Sequence, residues 1–131
     1  MDKKAKNGIV SIPSKHSVDE TVSRLEAALE AKSAKIFAVV DHSGEAEKAG
    51  LQMLNTKLIM FGNPKGGTPL MLAAPTIAID LPLKILVWED RSGSVWVTYT
   101  RPEFLAERHR LPSDLMPTLA VVSQLAETIA G

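Results

Sequence analysis

The chain has no cysteine. A disulfide framework, a thiol nucleophile and a cysteine zinc site are therefore excluded. Aromatic residues make up only 5% of its 131 residues, which leaves little for a base-stacking surface. Neither sign of charge predominates, because 15 Lys and Arg stand against 15 Asp and Glu. A protein that coats nucleic acid is usually basic, so nucleic acid is not an expected partner. Long apolar runs are also missing. The longest uncharged stretch, Gly66 to Ile79, is 14 residues and contains two prolines, whereas a membrane-spanning helix needs roughly 20 apolar residues. No membrane partner is expected. Lys3, Lys4 and Lys6 are followed by no hydrophobic run of the signal-peptide kind, so the expected location is the cytoplasm.

What is present is a globular composition, 45% hydrophobic and 23% charged. The length suits one domain with one core. The organisation read from the sequence is a flexible N-terminal tail over residues 1–8 and a single domain over 9–131.

Ile9 to Ile12 reads as a first strand stopped by Pro13. Ser17-Val18-Asp19-Glu20 has the form of a capping box. Val18, Val22, Leu25 and Leu29 follow at helical spacing and predict an amphipathic helix over about 18–32. Lys35 to Asp41 and Lys57 to Gly62 read as the second and third strands, with a short helix at 44–49 stopped by Gly50. Gly62 to Thr68 reads as a tight loop, with Thr68 capping a helix that starts at Pro69. Ile77-Ala78-Ile79 is too short to assign between helix and strand. Leu83–Trp88 and Ser94–Thr100 flank a turn and form the clearest hairpin. Pro102 opens a short helix, and Leu119, Val122, Leu125 and Ile129 mark a longer one over about 117–130.

These elements define an α+β fold with a mainly antiparallel sheet and the two long helices packed on one face. The connection between the second and third strands, about 14 residues, leaves a parallel crossover open as well. The expected core includes Leu25, Leu29, Val39, Leu58, Met60, Ile85, Val87, Val97, Leu119 and Val122.

Three segments occur in a recognisable order: Asp41-His42 with Gly50-Leu51-Gln52-Met53, then Phe61 to Met71 (FGNPKGGTPLM), then Asp80 to Asp90 (DLPLKILVWED). In these the chain resembles domain-of-unknown-function family 302. The resemblance implies a β-α-β-β-β-β-α core with an antiparallel sheet, like half of a TATA-binding-protein saddle, and a tendency to homodimerise. It implies no catalytic residues. The chain departs from the family pattern at Asn55, where Pro is frequent, and at Ser33-Ala34, where Gly is frequent.

Gly62 to Thr68 lies between a strand and a helix, so it admits two readings. It is either a tight connection whose glycines take positive φ, or an anion site built from backbone amides and a helix N-terminus. It is neither a Walker loop, because Thr68 stands where lysine is required, nor a G-x-G-x-x-G fingerprint. The candidate ligand-binding residues are Asn63, Lys65, Gly66, Gly67, Thr68, Asp80 and Lys84, with Arg101 at the edge of the same cleft. The amides of Gly66, Gly67 and Thr68 are expected to converge on one small anionic ligand.

His42 beside Asp41 reads as a local turn or as half of a catalytic pair, His109 as a helix C-terminal charge, and His16 as exposed. No histidine pair has zinc spacing, and no metal or cofactor is expected. Trp88 and Trp96 read as packing residues rather than a ligand platform, and the methionines as core fillers. The functional readings, in order, are a small-ligand or anion-binding domain, a homodimeric or partner-binding module, and a small enzyme.

Overall fold

Alternation of apolar and polar side chains sets the strands, and helical spacing sets the helices between them. The computed structural model describes residues 7–131, so residues 1–6 of the expected tail lie outside the described residues. Five strands and five helices run in the order β1 (Ile9–Ser14), α1 (Val18–Ala31), β2 (Lys35–Asp41), α2 (His42–Lys48), β3 (Thr56–Gly62), α3 (Pro64–Ala73), β4 (Leu83–Glu89), β5 (Val95–Thr100), α4 (Pro102–His109) and α5 (Met116–Ala130). Short 3-10 turns cover Pro75–Ile79 and Ser113–Leu115.

The sheet has the order β1-β5-β4-β3-β2, and every neighbouring pair is antiparallel. The parallel crossover is not used. Helices α1 and α5 pack against each other and cover one face of the sheet. Leu25, Leu29, Leu119, Val122 and Leu125 meet Ile59, Phe61, Ile85, Val87 and Val97 in a single core. The fold is therefore α+β with an open antiparallel sheet.

Three expected core residues lie elsewhere. Leu58 and Met60 point to the open face, because Ile59 and Phe61 take the helix-covered one. Leu58-Ile59-Met60-Phe61 is apolar at every position, so its sequence carries no alternation from which to read the face. Val39 pairs directly with Ile59 and shares its face, yet it is 45% exposed, because β2 is an edge strand with no neighbour on its outer side.

Local sequence explains the helix ends. Ser17 accepts from the Glu20 amide, as its capping box requires, while the Glu20 carboxylate turns to His16 Nδ1 at 3.2 Å. His16 also contacts the carbonyl of Gly131 through Nε2, so it is half-buried rather than free. Helix α1 ends in a Schellman motif: Ser33 N donates to Glu30 O and Ala34 N to Leu29 O, with Ser33 at φ 53. That left-handed position is where the family pattern frequently has glycine. Helix α2 begins at His42, not at Gly44, because Asp41 caps it by accepting from Gly44 N at 2.9 Å. Gly50, at φ 80, ends it. At the N-terminus Gly8 takes φ 77, and a Cβ there would come within 2.4 Å of the Phe104 ring.

Candidate functional site

The Gly62–Thr68 segment is not a loop but mostly helix. Asn63 is the N-cap of α3 and Pro64 its first residue. The Asn63 side chain accepts from Lys65 N at 3.0 Å. Its carbonyl accepts from Gly66 N at 2.9 Å and Gly67 N at 2.8 Å. Thr68, the fifth residue of α3, therefore lies within the helix rather than capping it, and the Gly66 and Gly67 amides are spent on the chain itself. Neither glycine has a positive φ. Gly66 is explained instead by close approach, since a Cβ there would stand 3.1 Å from Thr118 Cγ2 of α5. A Cβ on Gly67 would meet nothing within 4 Å.

That open space belongs to a pocket of about 420 Å³ at the end of the sheet where β3 runs into α3. The C-terminal end of α1 contributes Leu29, Lys32 and Ala34, and β2 contributes Phe37. Phe61 and Gly62 form the floor with Leu81, Pro82 and Leu83. Asn63, Pro64, Gly66, Gly67, Thr68, Leu70 and Met71 of α3 face Thr118, Val121 and Leu125 of α5 across it, and Ala78 closes one side. The walls are overwhelmingly apolar, as is usual of small-molecule sites.

Of the seven candidate site residues, Asn63, Gly66, Gly67 and Thr68 line this pocket, and Lys65, Asp80 and Lys84 do not. Lys65 is exposed. Lys84 projects from the open face in register with Met60, and its Nζ donates to the carbonyls of Asp80 at 3.1 Å and Pro82 at 2.7 Å. Burial lowers its pKa from the ordinary lysine value, with the Asp80 charge opposing. Those two bonds hold the turn around the cis Leu81–Pro82 bond.

The Asp80 carboxylate turns away, to α4. It accepts from Arg108 Nη1 at 3.2 Å and bonds His109 Nε2. The other ring nitrogen of His109, Nδ1, is 2.8 Å from Thr76 Oγ1. The His109 side chain is 5% exposed. This hydroxyl–imidazole–carboxylate chain ties the Pro75–Ile79 turn to α4. Sequence reasoning missed it because Thr76 and His109 are 33 residues apart.

His42 is exposed, and Asp41 bonds Ser43 Oγ and Gly44 N instead of its ring. Those two bonds, the Gly44 amide first, hold the Asp41 carboxyl below its ordinary value. The catalytic half-pair is therefore not assembled. Trp88 and Trp96 form a cross-strand stack on the open face, with ring centroids 6.4 Å apart. Among the described residues no three His, Asp or Glu side chains gather closely enough to hold a metal ion.

An open antiparallel sheet with helices on one face and an apolar pocket at its end defines the class of domain. The chain belongs to the family described as Domain of unknown function DUF302, whose pattern matches residues 10–130. Its relatives include Fluoride-specific ion channel FluC 1 of Brucella suis biovar 1, 47% identical over 105 residues, a match covering 80% of this chain and 41% of that protein. Fluoride-specific ion channel FluC 2 of Brucella melitensis biotype 1 matches at the same identity, over 80% of this chain and 39% of its own length. The chain thus spans about two-fifths of the length of these curated relatives. A crystal structure of the uncharacterized conserved protein DUF302 from Bacillus stearothermophilus shares the fold, with a TM-score of 0.77 at 15% identity, covering 94% of this chain and 95% of that one. Among the described residues no helix is long and apolar enough to cross a membrane.

Proposed function

We propose that the chain is a small-ligand-binding domain whose ligand occupies the pocket between α1, α3 and α5. The observation that carries this reading is the pocket of about 420 Å³, mostly apolar, with Lys32, Asn63, Gly66, Gly67, Thr68 and Thr118 among its lining residues. That volume falls within the range of roughly 300–1,000 Å³ of small-molecule sites. Mostly apolar walls replace little of the hydration of a bare ion, so the reading takes the ligand to be organic, with an apolar part for those walls to cover. The test is titration with a neutral environment-sensitive dye such as Nile red, in the wild type and in Gly67→Phe, which fills the pocket from a position with free space. Saturable dye fluorescence that Gly67→Phe abolishes, with an unchanged circular dichroism spectrum, supports the reading. Absence of saturable binding overturns it.

A second reading, homodimerisation through the β2 edge, is favoured by a separate observation. Phe37 and Val39 on this edge strand are each 45% exposed, and Leu51, Met53 and Leu54 in the segment leading to β3 are exposed too. A second copy laid antiparallel along β2 would cover these side chains and complete the hydrogen bonding of the edge.

A further inference from the structure

We infer that the pocket is selective for an organic anion: a single acidic head on an apolar body. This rests on the binding reading above and adds the charge of the ligand. Of the side chains that line the pocket, Lys32 is the only ionisable one, and no carboxylate lines it. The polar groups beside it can donate to a ligand. Asn63 Oδ1 is already taken by Lys65 N, which leaves the side-chain NH₂ to donate. The hydroxyls of Thr68 and Thr118 make no hydrogen bond among the described residues and are free to donate. A carboxylate matches a set of donors and an ammonium at the rim, and an amine would meet Lys32 with no acceptor carboxylate. Leu29, Phe61, Leu70, Met71 and Val121 supply the apolar wall for the body.

Lys32 has a competing structural role. It is the C-cap of α1, where a cation complements the partial negative charge of the helix end. That role predicts no effect on ligand choice, so ligand choice is the readout. Decanoate, decanol and decylamine share one chain and differ only in the head. Their affinities are measured by calorimetry at low ionic strength, below micelle formation, for wild type, Lys32→Ala, Lys32→Glu and Gly67→Phe. The expected order in wild type is decanoate tightest, by about five-fold over decanol at an exposed ammonium, with decylamine weakest. Lys32→Ala should bring decanoate and decanol level, and Lys32→Glu should place decylamine first. Equal affinities for the three heads in wild type, or an order unchanged by Lys32→Glu, overturn the anion preference and leave the pocket reading standing. Decanoate binding that survives Gly67→Phe also overturns it, because the ligand then lies elsewhere. Failure of all three to bind overturns both.

Discussion

At the scale of single residues, two positions carry sharp consequences. Ser33 holds a left-handed conformation, φ 53, to let Ala34 N reach Leu29 O at the end of α1. A residue with a Cβ pays for that conformation, and glycine does not. Ser33→Gly should therefore raise the unfolding free energy in urea by about 1 kcal/mol. Asp90 caps the β4–β5 turn. Its carboxylate accepts from Ser92 Oγ, from Trp96 Nε1 at 2.9 Å and from the amides of Ser92 and Ser94. These bonds, that of Ser92 first, bring its pKa down to about 2. A carboxyl with a depressed folded-state pKa stabilises the fold in full above its unfolded value near 3.8 and loses that contribution as pH falls toward 2. Asp90→Asn should flatten the pH dependence of the urea midpoint in that window. An unchanged slope between about pH 4 and about pH 2 would show that Asp90 does not carry it.

At the scale of elements, the Pro75–Ile79 turn depends on partners distant in sequence. It holds Ala78 against the pocket, and the Thr76–His109–Asp80 chain fastens it to α4. Thr76→Val keeps the shape and removes the hydroxyl, so the cost should be about 1 kcal/mol for one lost hydrogen bond. The loss should appear as faster amide exchange confined to residues 75–80 and the end of α4. A uniform change across the sheet would mean that the chain of bonds does not act as a local fastening. The same element shows how much of the site was legible. Asn63-Pro64 does begin a helix, as a polar cap followed by Pro at the first position should. The paired glycines Gly66 and Gly67 point instead to a loop with Thr68 as the cap. They do so because Gly-Gly suggests a turn wherever nothing packs against it. Here a Cβ on Gly66 would press on Thr118 of α5, a contact 52 residues away that no local pattern contains.

At the scale of the whole molecule, the uncovered edge strand has its own outcome. Helices α1 and α5 touch every strand of the sheet, yet Val39 and Phe37 on the edge strand β2 stay 45% exposed. Light scattering at micromolar concentration should give about twice the chain mass of 14.1 kDa for the wild type. Val39→Lys places a charge on that edge and should give a monomer of unchanged secondary structure. A wild-type monomer would show that the exposed side chains of β2 do not bring two copies together.

What the sequence determined by itself was local: the number and order of the strands, the caps at Ser17 and Gly50, the hairpin after Trp88, and the family to which the chain belongs. The strands, caps and hairpin depend on side-chain periodicity or on turn chemistry within a few residues, and the family on the order of segments such as Phe61 to Met71 and Asp80 to Asp90. Tertiary structure decided which face of β3 is buried, where the carboxylate of Asp80 points, and that Asn63, Gly66, Gly67 and Thr68 line a mostly apolar pocket while Lys65, Asp80 and Lys84 lie outside its lining. Those outcomes depend on which helix lies over which strand. An apolar run such as Leu58 to Phe61 satisfies either face, and only the packing of α1 and α5 against Ile59 and Phe61 chooses between them.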